Sequence, residues 1–357
     1  MTRVVLLTEI PAPYRIPLFN ALAERVDLRV LFLAARQPER LYQLHAEELR
    51  YDWDVLPGVE LHVGRRWVVM NRGLVRRLRA ADALLLGGWN QPAFWEALAY
   101  GRVARTPTYV WVESTLHDSP AGTNSLSKRV FARSVAGALV PGKKSAEYVR
   151  ALAPATDLTV APNAVDNILF ASRVADRDAL RVELGLDRCT FLYVGRLSPE
   201  KGVKILVRAF ADVEDATLVV AGAGPDEAAL RAAAPDSVRF LGNLERDDLP
   251  RWYAAADAVV VPSLADTWGM ALNEGAAAGL PLVAADGAGG AWELVEDGVN
   301  GLRVPSGDVS AMAEALRRLV ADDVFRRDAG LRSAEIATRF TAEAWADAVV
   351  QMLRAAT

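Results

Sequence analysis

The chain has 357 residues, 52% hydrophobic and 24% charged, an ordinary globular composition with enough material for two domains. A lone cysteine, Cys189, excludes an internal disulfide and suits a reducing cytosol, and the three histidines, His45, His62 and His117, lack metal-ligand spacing. The start MTRVVLLTEI meets Glu9 too soon for a signal peptide and no run approaches the ~20 apolar residues of a membrane span, so the sequence reads as a soluble, cytoplasmic protein.

In chain order, TRVVLLTE is an apolar strand, PAPYRIP a stiff turn bearing Tyr14 and Arg15, and LFNALAERV a helix. LRVLFLA is another apolar run. YDWD (51–54) contains Asp52-x-Asp54, a spacing that can hold a divalent cation, but it follows a charged helical stretch and reads as two solvated turn carboxylates. RRWVVMNRGLVRRLR (65–79) is dense in arginine and reads as a solvated helix face, or as a weak peripheral contact with an anionic membrane. ADALLLGGW and PTYVWVES are strands, with the helix PAFWEALAYGRVA between them. Almost wholly apolar strands alternating with amphipathic helices predict a parallel sheet covered on both faces. The pattern breaks at VAPNAVD (160–166) and restarts with CTFLYVGRLSPEKG, ATLVVAGAGP, SVRFLGNL, DAVVVPS, PLVAAD and LRVP as strands. FTAEAWADAVVQMLRAA (340–356) is a closing helix with no strand after it. The expected division is 1–166, 167–339 and a final helix, 340–357, with ligands in a cleft between two doubly wound α/β domains.

The charge of −4 divides into +6 over residues 1–165 and −10 over 166–357, and the basic residues lack interleaved aromatics, so nucleic acid is not an expected partner. The chemistry-bearing motifs follow strand ends. In VGRLSPEKG (194–202), Arg196 and Lys201 flank a turn and can neutralise a phosphate without metal. AGAGP (221–225) begins like a dinucleotide loop but has Glu227 in place of the third glycine, and no P-loop exists. In PSLADTWGMALNEGAAAGLP (262–281) a helix is expected near Gly269, capped by Ser263 or Thr267. The N–H groups of Gly269, Met270, Ala271 and Leu272 then offer a phosphate site. Glu274 is positioned for ribose hydroxyls, and Asp266 reaches past the phosphates to what they carry.

VGRLSPEKG, AGAGP, PSLADTWGMALNEGAAAGLPLVAAD and EDGVNGLRV, in that order, resemble glycosyltransferase family 4, retaining enzymes of GT-B fold. PNAVD, PAPYRIPLFNAL and the closing helix extend the resemblance over nearly the whole chain. It implies an α/β GT-B fold of two Rossmann-like doubly wound domains facing across a cleft. The implied reaction moves a sugar from a nucleotide diphosphate sugar (UDP, GDP or TDP) to an acceptor hydroxyl with retention, on the same face, without metal or other cofactor. Arg196 and Lys201 would contact the diphosphate, Glu274 the ribose and Asp266 the sugar. Main chain around Gly242, Asn243 and Leu244 would hold the base, and either His117 or Glu113 would face the donor or acceptor. Two departures stand out: Asp266 replaces the family's usual glutamate, and PAPYRIP replaces a glycine-rich loop, leaving Arg15 for the diphosphate or, with Tyr14 and His117, the acceptor. A sugar-nucleotide epimerase and a non-catalytic sugar-nucleotide binder are the alternative readings.

Overall fold

The computed structural model describes residues 1–37, 46–64, 66–117 and 125–355. His45, Arg65, the last two residues of the 111–119 stretch and residue 356 lie outside the described residues. The chain forms two compact units, Met1–Asn163 with Ala342–Thr357, and Ala164–Thr341. Among the described residues no helix is long and apolar enough to cross a membrane.

In chain order the first unit carries β1 (Arg3–Thr8), α1 (Ile16–Ala23), β2 (Asp27–Phe32), β3 (Asp52–Val55), β4 (Gly58–Val63), β5 (Arg66–Asn71), α2 (Leu74–Leu78), β6 (Ala83–Leu86), α3 (Pro92–Ala104), β7 (Thr108–Trp111), α4 (Ser125–Ser134), β8 (Gly137–Val140), α5 (Lys143–Leu152) and β9 (Leu158–Val160). Seven strands form a parallel sheet in the order β3-β2-β1-β6-β7-β8-β9. Strands such as ALLL of β6 and GALV of β8 are buried along their whole length, as helices on both faces require. The winding direction reverses between β1 and β6, which opens a crevice at their carboxyl ends.

The arginine-rich stretch is not a helix face. From Arg66 to Asn71 it is β5, paired antiparallel with β4 in a separate two-stranded sheet, and only Leu74–Leu78 is helical. The Asp52-x-Asp54 pair is likewise corrected. Both acids lie in the edge strand β3, where Arg29 sits 3.3 Å from Asp52 and Arg77 2.7 Å from Asp54. Each pairs with an arginine, and Asp52 stays largely exposed to water, so what changes is the strand in place of a turn.

The second unit carries α6 (Asn167–Ala171), α7 (Arg177–Leu184), β10 (Cys189–Val194), α8 (Val203–Phe210), β11 (Ala216–Ala221), α9 (Glu227–Ala233), β12 (Val238–Gly242), α10 (Leu249–Ala255), β13 (Ala258–Val261), α11 (Ala271–Ala277), β14 (Leu282–Ala285), α12 (Ala291–Leu294), β15 (Gly301–Val304), α13 (Val309–Ala321) and α14 (Asp323–Ala337). Asp166, Asp308 and Asp322 cap α6, α13 and α14 by accepting from backbone N–H groups three residues on. The sheet order is β12-β11-β10-β13-β14-β15, all parallel, and the reversal falls between β10 and β13.

The chain then returns to the first unit as α15 (Ala342–Arg354), which packs on α1. Its buried positions, Trp345, Ala346, Val349, Met352 and Leu353, recur at helical spacing. Trp345 is fully buried, with ring centroids 5.0 Å from Trp111 and 6.0 Å from Phe19, and Asp347 pairs with Arg25 at 2.6 Å. Truncating such a tryptophan to alanine costs about 3–5 kcal/mol, so this helix is integral to the unit.

Candidate functional site

Strands β10 and β13 are neighbours, so the loops leaving their carboxyl ends meet at the point where the winding of the second sheet reverses. VGRLSPEKG leaves β10 and PSLADTWG leaves β13. The carbonyl of Glu200 accepts N–H bonds from Leu264 (2.9 Å) and Ala265 (3.1 Å), which fastens one loop to the other. Gly202 allows the approach: it adopts φ +67°, and a Cβ there would lie 2.1 Å from the Pro262 carbonyl oxygen.

This fastening brings Lys201 to Asp266, with Nζ 2.6 Å from Oδ2. Ser263 Oγ donates to the same oxygen at 3.3 Å, and the Trp268 N–H to Oδ1 at 3.3 Å. Asp266 is fixed through its backbone too, donating to the Gly287 carbonyl and accepting from the Gly289 N–H, both at 3.0 Å. Arg196 donates to Glu200 Oε1 at 3.0 Å and to Ser198 Oγ at 3.3 Å, and Ser198 Oγ donates to Glu200 at 2.5 Å. Burial alone pushes the Glu200 carboxyl up, but the bonds from Ser198, its own backbone and Arg196 outweigh it and hold the group below the usual range. Lys201 thus rests against a carboxylate of the neighbouring loop, and Arg196 against one of its own loop.

The AGAGP glycines have a packing role. A Cβ on Gly224 would lie 2.2 Å from the Leu197 carbonyl oxygen, and Leu197 donates its N–H to the Ala223 carbonyl at 2.9 Å. The third loop is therefore laid flat against the first.

The helix after Asp266 starts later than expected. It begins at Ala271, its N-cap is Met270, and neither Ser263 nor Thr267 caps it. Gly269, at φ +89°, makes the bend into it. Leu272 donates its N–H to the Gly269 carbonyl at 2.9 Å and is fully buried, so it is not a donor for a ligand. Glu274 is half-buried and accepts a short hydrogen bond from the hydroxyl of Tyr253 on α10. Burial raises the Glu274 carboxyl to about 7, with the Tyr253 bond working the other way. The same burial, then the facing Glu274 charge, raises the Tyr253 phenol. Asn243 is exposed just past β12, and Leu244 packs on the core.

In the first unit, Arg15 is no surface residue. Its guanidinium donates to Glu113 at 2.7 Å and to Thr8 Oγ1 at 2.9 Å, and stacks 4.4 Å from the Trp111 ring, with the Tyr14 ring 5.7 Å away. Asn163 donates to the other Glu113 oxygen at 2.9 Å. Burial opposes the arginine's charge, and Glu113, Tyr14 and Glu9 together outweigh it, so the guanidinium is held above its usual value. His117 lies in an exposed turn, with its N–H on Thr115 Oγ1 at 3.3 Å. The structure thus joins Arg15 with Glu113 and keeps His117 apart from that cluster. Near the same crevice, Glu9 accepts from Asn90 (2.7 Å) and Gln91 (3.1 Å).

Sequence reasoning missed Glu200, Tyr253, Thr8 and Asn163 as partners of these groups. Glu200 stands inside a motif already singled out, so its proximity was readable. Tyr253 sits in LPRWYAAA, where an aromatic at helical spacing looks like core.

Residues 188–322 match the model of the family described as Glycosyl transferases group 1. A D-inositol 3-phosphate glycosyltransferase of Kribbella flavida is 34% identical over 213 residues, covering 54% of this chain and 50% of the relative. Another of that description, from a Mycobacterium species (strain KMS), is 40% identical over 161 residues, covering 41% of this chain and 36% of the relative. The chain thus spans half or less of the length of these curated relatives. Over the whole chain the fold resembles that of Anabaena Alr3699/HepE, crystallised with UDP, with a TM-score of 0.83, 22% identity and coverage of 99% and 100%. It also resembles sucrose-phosphate synthase from Thermosynechococcus elongatus, with a TM-score of 0.77, 20% identity and full coverage of both chains. The fold is of GT-B class, two parallel-sheet Rossmann-like units. The match to the group 1 glycosyl transferase model falls within the second unit, Ala164–Thr341.

Proposed function

We propose that this protein is a retaining glycosyltransferase that moves a sugar from a UDP sugar to an acceptor hydroxyl, without metal and on one face of the sugar. The observation that carries the proposal is the pair of cations at the reversal point of the second sheet, Arg196 against Glu200 and Lys201 against Asp266. A diphosphate entering there competes with both carboxylates for both cations. As the anomeric C–O bond breaks, negative charge grows on the departing diphosphate oxygen, and two fixed cations stabilise it as it forms. The acceptor oxygen bonds to the anomeric carbon, and its proton passes to that same diphosphate oxygen.

UDP and UDP-glucose in crystals of the similar Anabaena protein support uridine as the base. Asp266, released from Lys201, is the group for the sugar hydroxyls, Glu274 for the ribose, and the main chain of 269–271 assists at the phosphates. Gly242, Asn243 and Leu244 border the base. Tyr14, Arg15 and Glu113 form the acceptor side, with His117 subsidiary because of its exposure. Dependence on a nucleotide sugar, together with the lone cysteine, supports a cytoplasmic location.

The test is a thermal-shift series with UDP, GDP and TDP and then their glucose conjugates, followed by an acceptor screen. UDP should raise the unfolding temperature most, since a ligand confined to the folded state stabilises it by RT ln(1 + [L]/Kd). A rise with GDP or TDP alone removes the uridine assignment. An epimerised sugar formed without acceptor, seen by NMR, replaces transfer with epimerisation.

A further inference from the structure

We infer that the β4–β5 hairpin of the first unit is a docking surface for an anionic phospholipid bilayer. This goes beyond the transferase reading and does not depend on it. The pairing register puts Val59 opposite Met70 and Leu61 opposite Val68, with Val63 on the same face of the ribbon. Glu60, His62, Trp67 and Val69 fall on the other face. That second face is the one attached to the unit: Val69 is 1% exposed in the core and Trp67 packs against it. Gln91 ties the strand down, accepting from the Val69 N–H at 3.0 Å and donating to the Trp67 carbonyl at 3.1 Å.

The first face is left in water. Val59 is 52% exposed, Leu61 45%, Val63 63% and Met70 48%. Four large apolar side chains, alternating along one short ribbon, form a contiguous patch of the kind that marks an interaction surface. The strand β4 has all six residues exposed and nothing on its outer edge among the described residues.

Charge decides what covers it. From 58 to 79 the sequence has six arginines and one acid, Glu60. That acid accepts from Trp67 Nε1 at 2.9 Å on the attached face, so it does not oppose the patch. Arg77 is taken up by Asp54, while Arg72, Arg76 and Arg79 are exposed directly after the hairpin. A second copy of this chain would bring two such cationic stretches together, which disfavours edge-to-edge pairing of β4. An anionic leaflet satisfies both features: the apolar side chains enter the headgroup boundary and the arginines meet lipid phosphates. Each basic residue near such a surface is worth about five-fold in affinity.

The experiment is co-sedimentation of the full chain with vesicles of phosphatidylcholine mixed with phosphatidylglycerol, and of phosphatidylcholine alone, at low and high salt. Wild type should pellet with the mixed vesicles, much less with the neutral ones, and less at high salt. Leu61→Ser with Val63→Ser, and separately Arg72→Glu with Arg76→Glu, should each weaken binding by about ten-fold or more at unchanged unfolding temperature. As a second readout, Val63→Cys in a Cys189→Ser background, carrying an environment-sensitive thiol dye, should shift its emission to the blue on mixed vesicles. Wild type staying in the supernatant, a serine pair that binds like wild type, or a dye that does not respond overturns the inference. So does a concentration-dependent dimer that the serine pair abolishes, which would make a second copy the occupant.

Discussion

Lys201 and Asp266 sit 65 positions apart in sequence and 2.6 Å apart in space, with the acid 11% exposed and the lysine 27%. The lysine has two tasks: it neutralises this acid while the site is empty, and in the proposed reaction it meets the diphosphate. Lys201→Ala should therefore lower kcat by about 10²-fold or more, the cost typical of losing one preorganised donor to a developing anion. It should also destabilise the protein, because a partly buried carboxylate loses its cation, and Asp266→Ala in the same chain should recover part of that loss. Single-turnover rates and denaturant unfolding of the two single variants and the double variant check both. Near-normal turnover in Lys201→Ala removes the lysine from the reaction.

Asp266→Glu tests the departure from the glutamate of the resembled family. Its extra methylene lengthens the reach by roughly 1.3 Å. With Lys201 Nζ already at 2.6 Å and the Asp266 backbone bonded on both sides, the longer carboxylate has to displace the lysine or turn toward the donor. The expected result is a changed preference among UDP sugars, read as relative kcat/KM. Identical preferences and rates make the shorter side chain neutral.

Gly202→Ala tests the fastening of the two loops. The residue adopts φ +67°, and the added Cβ would stand 2.1 Å from a backbone oxygen that has no rotamer to escape with. The expected cost is about 2 kcal/mol or more in urea unfolding, from left-handed strain and backbone displacement together. Lys201 is the next residue back, so turnover should fall beyond what lost stability explains.

Arg15→Lys addresses the first unit. The arginine fork serves Thr8 and Glu113 at once with its carbon 4.4 Å from the Trp111 ring centre, whereas an ammonium is a point charge without that planar fork. A loss of about 1–3 kcal/mol is expected from the disrupted hydrogen bonds. In the proposed enzyme the acceptor KM should rise while the donor KM stays put. A rise confined to the donor moves Arg15 to the donor side.

Much of the second unit was legible because its signals are local. The apolar runs CTFLYV, ATLVVA, AVVV and LVAA became β10, β11, β13 and β14, and the motifs between them occupy their carboxyl ends. The pairings were less legible. Nothing in VGRLSPEKG says that Lys201 meets Asp266, since that contact depends on β10 and β13 being neighbours, a property of strand order. The hairpin was missed for a different reason. GVELHV alternates with period two and the apolar run WVVM follows across Gly64, at φ +62°, which is compatible with a hairpin, but arginine density pointed to a helix face. The cap at Ser263 or Thr267 failed because Asp266 is held in a bridge to Ala288, which takes the chain past those residues before it turns helical.

Glu274 should make stability fall with pH in a range where most carboxylates are silent. Burial raises its folded-state value from 4.5 to about 7. Below about 4.5 both the folded and unfolded chains hold the proton. Between about 4.5 and 7 the folded chain keeps it and the unfolded chain releases it, so stability declines as pH rises through this window and levels off above it. At 1.36 kcal/mol per pH unit the decline is at most about 3 kcal/mol, and less where water reaches the half-buried carboxyl. Glu274→Gln removes the titration while keeping an acceptor for the Tyr253 hydroxyl, so urea unfolding from about pH 5, inside the window, to about pH 8, above it, should give a flatter profile in the variant. Donor binding should run the other way, because the ionised carboxylate is the better acceptor for ribose hydroxyls: UDP affinity should rise from pH 6 to pH 8, about a unit either side of the titration, in wild type and stay level in Glu274→Gln. A wild-type affinity as level as the variant's detaches Glu274 from the ribose, and parallel stability profiles remove its raised proton affinity.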